Sequence, residues 1–295
     1  MQAPPSGKQF HISSDGYCAV IVEIGAGIRR LDLNDRPVLE SYREDAICDG
    51  AHGAHLVPWP NRVLGGTYQF MGQSYQLPLT EPTAGNAIHG LLRWTPFTVQ
   101  ALTHQSVTLS ATLHPTPWYP FALEVCFRHE LSASGLTVTS KIINRGLEAC
   151  PLALGHHPYL SPGTDETIDT AMFSTSAIPF DSAGEAAFPG SPLTEPVLLR
   201  HRIVDATFVA QPSAQSNISW VRLTGADGRT VALWADASYR YLQFFTGDSL
   251  AEGRRRRAIA AEPMTAPPNA LQSGQDLLVL RPNESIETQW GVQLQ

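Results

Sequence analysis

Hydrophobic and polar residues alternate along much of this chain. In Val107–Leu113, Val107, Leu109, Ala111 and Leu113 fall on one side, and Thr108, Ser110 and Thr112 on the other. That period of two is what a half-buried strand requires. Leu123–Leu131, Leu136–Ile142 and Ile286–Leu294 repeat it. Ala19–Ile24, Ile218–Leu223, Thr230–Trp234, Tyr239–Phe245 and Leu277–Leu280 are shorter β-type runs. Turn signals separate them, among them Gly65-Gly66, Ala226-Asp227-Gly228 and Pro267-Pro268-Asn269. No stretch sustains a helical period, and no unit of about 20 to 50 residues recurs. The pattern therefore predicts an all-β fold, a large antiparallel β-sandwich. Asp165 to Ser216 is the least regular stretch and predicts long loops. No linker composition marks a boundary there, so residues 1–295 read as a single domain.

Composition changes this picture little. The 295 residues are 43% hydrophobic, enough for a sizeable core, and 23 Gly with 23 Pro suit a loop-rich sheet protein. A net charge of −7, with no basic patch interleaved with aromatics, argues against nucleic acid as a partner. The run Arg254 to Arg257 reads first as a solvated loop and only second as an anion site. MQAPPSGKQF has neither the basic start nor the apolar stretch of a signal peptide. No apolar run approaches the roughly 20 residues that span a bilayer. No membrane and a cytoplasmic location are the expectation. Cys18, Cys48, Cys126 and Cys150 form no CxxC pair and read as reduced, mostly buried thiols.

Several familiar chemistries lack their motifs. Gly25-Ala26-Gly27 begins like a dinucleotide fingerprint, but no third glycine follows. GxSxG, Walker and HExxH patterns are missing. His52 and His55 lie three apart, and His156 and His157 are adjacent, so on a strand their side chains would point to opposite faces. Neither pair has clustered carboxylates, and no metal is expected.

Three segments depart from ordinary core or surface. The first runs from Val57 to Trp94 and holds VPWPNR, GGTYQFMGQSYQLP and AIHGLLRW; the second is LGHHPYLSPG (154–163), and the third AAEPMTAPPNAL (260–271). Each sets a His, Arg or Glu among Pro, Gly and aromatics, as functional loops often do. Read singly, these residues have plain structural alternatives. His89 beside a glycine and one of His156 and His157 could be satisfied core imidazoles, and Asp205 a turn residue. Glu262 is less ordinary, because a carboxylate closing the apolar run Ala258-Ile259-Ala260-Ala261 needs a reason. Trp59, Trp94 and Tyr159 could stack on a sugar or pack the core.

Taken together and in order, the segments resemble the aldose 1-epimerase, or galactose mutarotase, family. The resemblance rests on Asn61-Arg62, His89-Gly90, His157-Pro158-Tyr159, Asp205-Ala206-Thr207-Phe208 and Glu262-Pro263, and runs from about residue 20 to 294. It implies a cofactor-free enzyme whose partner is a small sugar; a homodimer is the assembly considered. It implies Glu262 as general base, His157 as general acid, and His89 near the ring oxygen. Arg62 and Asp205 would bind hydroxyls, with Asn61 and Trp94 as further substrate-binding residues. LVPWPNRV, GQSYQLP, AIHGLLRW and EPMTAPPNAL look most like the sulfoquinovose mutarotases, whose sugar carries a 6-sulfonate. Arg62, Arg93 and Arg240 are candidate sulfonate partners.

The chemistry suits those residues. Mutarotation opens a hemiacetal, turns the aldehyde and recloses the ring, so a base must take the O1 proton and an acid must protonate O5. An acid and base on opposite sides of the ring are expected, with Arg62 favouring ionised Glu262 and Asp205 favouring imidazolium. A glucose or galactose mutarotase and a hexose-6-phosphate 1-epimerase are alternatives within this chemistry. A non-catalytic carbohydrate-binding protein would need no acid–base pair. A glycoside hydrolase would need a second carboxylate, for which Asp205 is the candidate.

Overall fold

A computed structural model describes residues 4–180 and 193–295. Two large antiparallel sheets face each other, joined by small two-stranded ribbons, and helix is confined to Ile168–Thr170 and Ala270–Ser273 among the described residues. One sheet runs in the order Thr98–Leu102, Ser106–Leu113, Leu123–Ser132, Gly135–Asn144, Ser285–Leu294, Thr230–Asp236, Ile218–Thr224, Met172–Thr175, Val197–Leu198. Its long strands are those that alternate most clearly in sequence. Along Leu123–Ser132 every second residue is buried, so one face packs inward and the other meets water.

The second sheet carries the chemistry. It begins with the meander Gln9–Ser14, Tyr17–Val22, Ile28–Leu33, Arg36–Leu39 and continues through Tyr159–Leu160, Ile259–Met264, Tyr241–Phe245, Asp205–Val209 and Ile178–Pro179. His55–Leu56 and Gly155–His156 attach beside Ile259–Met264. Between the sheets lie Phe127, Trp290, Tyr239, Phe173, Phe208 and Phe244, all fully buried. Each such side chain contributes about 1.5–3 kcal/mol of burial.

Several expectations shift. The irregular stretch contains the strands Met172–Thr175, Ile178–Pro179, Val197–Leu198 and Asp205–Val209, while its residues 181–192 lie outside the described ones. Tyr239 precedes its strand, which starts at Tyr241, and turns its ring into the core. All four cysteines are free, but only Cys150 is buried; Cys18 is the one exposed position of the otherwise buried strand Tyr17–Val22. No helix among the described residues is long and apolar enough to cross a membrane.

The arginine run is not a solvated loop. Arg254 reaches Glu40 at 3.2 Å and the Ser41 carbonyl at 2.8 Å, and Arg256 holds Asp169 and Asp248, each at 2.9 Å. Arg256 also donates to the carbonyls of Leu199 and Arg202. The guanidinium forks bind neighbouring loops together instead of extending into water.

Candidate active site

The strand Ile259–Met264 is buried on both faces. Ile259 and Ala261 enter the main core, whereas Ala260 packs with Tyr159 on the other side. Glu262, two residues on from Ala260, shares that second face and lines a cavity of about 290 Å³. Gln243 and Thr207 lie beside it in register on the next two strands. The Gln243 amide donates to Asp205 Oδ1 at 2.8 Å, and its carbonyl accepts from the Thr207 hydroxyl at 2.6 Å. Both ends of the amide are thereby fixed, and so is the carboxylate of Asp205 at the rim.

His157 reaches the same cavity from Gly155–His156. Gly155 is required there, since a Cβ would lie 2.6 Å from the Pro60 Cβ. His157 Nε2 stands 3.2 Å from Glu262 Oε1. Its ring stacks on Tyr159 at 5.0 Å between centroids, and the far side of Tyr159 stacks on His52 at 3.7 Å. Tyr159 thus packs against two imidazoles and also lines the cavity. Its hydroxyl donates to the Gly50 carbonyl at 2.8 Å.

His89 meets the His157 ring edge-on, with centroids 5.2 Å apart. The His-Gly pair has a backbone reason: His89 and Gly90 both adopt positive φ. A Cβ on Gly90 would lie 2.1 Å from the Val57 carbonyl oxygen, which accepts from the Leu91 N–H at 2.8 Å. The Asn61 N–H donates to His89 Nδ1 at 3.3 Å, and the His89 N–H donates to the Asn61 carbonyl at 3.0 Å. With Nδ1 accepting, neutral His89 carries its proton on Nε2. The loop after Glu262 is clasped similarly, because Asn269 Oδ1 accepts from the Leu64 N–H at 2.7 Å and the Asn269 N–H donates to the Arg62 carbonyl at 2.8 Å.

Glu262, His157, His89, Asn61, Arg62, Asp205 and Trp94 therefore all line one cavity. Three candidates are already engaged by the protein itself. Trp59 is 2% exposed and belongs to the core, because its strand-flanking position turns the indole inward. Arg240 pairs with Asp276 and does not line the cavity. Arg62 lines it, but its guanidinium is held by Glu81 through two bonds of 2.8 Å. Gln243 and Glu81 were not singled out in sequence. A glutamine inside the apolar run Tyr241–Phe245 was the available signal for the first.

Burial dominates the electrostatics. It pushes the Glu262 carboxyl well above the usual carboxylate range, with the charge of Asp205 acting the same way and Arg62 opposing. Burial likewise holds His157 well below an ordinary imidazole, reinforced by His89 and His52. His89 is pushed down to about 3 by burial, then by Arg93 and Arg62. The expected balance between Arg62 and Asp205 is therefore secondary to desolvation. Glu262 Oε2 and His157 Nδ1 are buried without a hydrogen-bond partner, a costly condition that a polar ligand would relieve at the first. Glu262 and His157 stand side by side at the cavity.

A model of the aldose 1-epimerase family matches residues 8–292. The chain belongs to the aldose 1-epimerase family. It is 31% identical to the uncharacterised Escherichia coli (strain K12) protein YihR over 287 residues, covering 93% of this chain and 89% of that protein. A putative aldose 1-epimerase from Escherichia coli K12 superposes with a TM-score of 0.80 at 21% identity, over 98% and 99% of the two chains. The GalM/aldose epimerase homologue from Caenorhabditis elegans gives 0.82 at 16% identity, over 98% of each. These likenesses make the architecture that of the galactose mutarotase-like proteins and the chain an isomerase of the mutarotase type. An aldose 1-epimerase has to place a donor and an acceptor at one anomeric carbon. Side-by-side placement meets that need, because O1 and O5 are bonded to the same carbon.

Proposed function

We propose that this aldose 1-epimerase interconverts the anomers of an aldohexopyranose bearing a 6-sulfonate, sulfoquinovose, through Glu262 and His157. The observation that carries the catalytic part is the 3.2 Å contact between His157 Nε2 and Glu262 Oε1 at a cavity where Oε2 lacks a partner. The pair holds one proton, as Glu262 carboxylate and His157 imidazolium. Glu262 takes the O1 proton while His157 gives its proton to O5. The C1–O5 bond opens to leave a carboxylic acid beside a neutral imidazole, and the aldehyde turns about C1–C2. Reclosure returns both protons, so the step balances without a cofactor. The raised affinity of Glu262 for a proton makes it a stronger base than a solvated carboxylate. His89, with Nε2 as donor, supports the ring oxygen, while Arg62, Asn61, Asp205 and Trp94 orient hydroxyls and the ring. The cavity draws on residues from Cys48 to Glu262, which favours one domain working as a unit.

The sulfosugar reading rests on the phrases LVPWPNRV, AIHGLLRW and EPMTAPPNAL. Magnetisation-exchange NMR between α and β anomers of glucose, galactose and sulfoquinovose tests it. Fastest exchange on sulfoquinovose is expected. Equal rates on all three would remove the sulfosugar part, and no acceleration on any would remove the mutarotase part.

A further inference from the structure

The catalytic cavity shares a wall with a second one of about 190 Å³, lined chiefly by apolar groups including Ile24, Ile47, Ala54 and Tyr42. Cys48, Arg93 and Trp94 line both. The arginines near the site differ in what already holds them. Arg62 is taken by Glu81, and Arg240 by Asp276. Arg93 lies over the Trp94 ring at 5.1 Å, and among the described residues no carboxylate or other acceptor bonds to its guanidinium. Half-buried arginines without an anion are costly, and a ligand anion removes the cost.

Stereochemistry says which part of a sugar would meet it. Arg93 lines the cavity beside His89 and His157, and its charge acts on both of them but not on Glu262, whereas that of Arg62 acts on both His89 and Glu262. The exocyclic carbon hangs from C5, the other neighbour of O5. A sugar with O1 at Glu262 and O5 at His157 thus extends that carbon on the side of Arg93.

Resting on the mutarotase reading above, we infer that Arg93 is the specificity-determining residue, binding an anionic group on the sugar's exocyclic carbon at the junction of the two cavities. Apolar walls behind it keep water away and strengthen the charge interaction. Arg62 keeps its bonds to Glu81 and orients hydroxyls instead.

The test compares anomer exchange of glucose and of sulfoquinovose by wild type, Arg93→Gln and Arg93→Lys. Arg93→Gln is expected to lower kcat/KM for the sulfonated sugar about 10- to 100-fold more than for glucose. Arg93→Lys is expected to recover part of that difference, because the charge returns without the fork. An equal fall on both sugars, or the same preference for sulfoquinovose in Arg93→Gln as in wild type, would overturn the assignment while leaving the mutarotase in place. No exchange by wild type on either sugar would overturn both. Should Arg93→Gln fold poorly, the sugar ratio in Arg93→Lys decides: a ratio as in wild type with rising ionic strength leaving it unaltered counts against Arg93.

Discussion

His156 and His157 are neighbours in the chain and sit in opposite worlds. His156 points between the sheets, where its Nδ1 stands 2.7 Å from His55 Nδ1 and its Nε2 2.8 Å from the Tyr239 hydroxyl. His55 Nε2 lies 3.0 Å from His129 Nε2, and the Tyr239 hydroxyl 2.7 Å from Thr288 Oγ1. Donors can run in one direction along this chain, from Thr288 to His129, with every imidazole neutral. Phe127 and Trp290 pack around it. Both sheets contribute residues, so the chain is a polar bolt across the sandwich. His157 faces the other way, toward Glu262 and an open cavity, with its Nδ1 unpartnered. Equal burial therefore has two meanings. In the core the imidazole nitrogens are matched by partners except at the end of the chain, His129 Nδ1, and the network serves stability. At the site the unpartnered atoms of Glu262 and His157 belong to residues that line an open cavity, where a ligand can reach them.

The largest way to sharpen this contrast is a double-mutant cycle on the site side. His157→Asn and Glu262→Gln are each expected to slow anomer exchange by about 10²–10⁴-fold. The double variant should be little slower than the worse single, because the two act as a unit. Multiplicative losses in exchange NMR would show that they act independently.

On the core side, Tyr239→Phe should cost about 1–3 kcal/mol in urea unfolding by leaving Thr288 and His156 short of a partner. Exchange by the folded variant should fall less than about tenfold, against the 10²-fold or more at the site. A loss of activity as large as that of His157→Asn, without loss of stability, would erase the distinction drawn between the two histidines.

Titration separates the regions again. Burial pushes His129 down to about 3 and holds His55 and His156 well below the ordinary 6.5. Folded pKa values below the unfolded one mean the neutral form is favoured on folding. That stability is present above about pH 6.5 and is lost as pH falls toward the folded values, by ~1.4 kcal/mol per pH unit for each such proton. His129→Leu is expected to be the less stable protein at pH 7.5, with the gap to wild type narrowing below pH 6.5. A gap constant from pH 7.5 to 4.5 in unfolding curves would contradict a neutral buried His129. The smallest effect belongs to Tyr159→Phe, which loses the bond to Gly50 but keeps the stack on His157. The lost bond, worth roughly 0.5–1.5 kcal/mol, goes to the Gly50 backbone and not to a catalytic group. Only a fraction of it reaches the reaction, so exchange slower by less than about fivefold is expected.

How much of this was legible in sequence follows from how many residues carry each signal. The long strands of the sheet opposite the site-bearing one repeat a two-residue period often enough to be seen, as Leu123–Ser132 and Gly135–Asn144 do. His55–Leu56, Gly155–His156 and Tyr159–Leu160 have two residues each, too few for any period, yet they position the site. The candidates His89, His157 and Glu262 stood out through the odd company of Gly and Pro. Arg62 stood out too, but its partner Glu81, 19 positions away, did not. Gln243 was masked by the apolar residues around it, and its contacts with Asp205 and Thr207 exist only once two strands distant in sequence pair. The choice between His156 and His157 could be made by likeness to a family, whereas the reason, a core chain on one face and a cavity on the other, needed three dimensions.

The contrast between the adjacent histidines comes down to the carboxylate that one of them meets. Exchange spectroscopy on one aldohexose, with wild type and Glu262→Gln at equal concentration, tests that most directly. The account predicts strong α-to-β exchange with wild type, and exchange at the spontaneous rate or within about 10² of it for Glu262→Gln with sugar binding retained. Undiminished exchange in Glu262→Gln would contradict it.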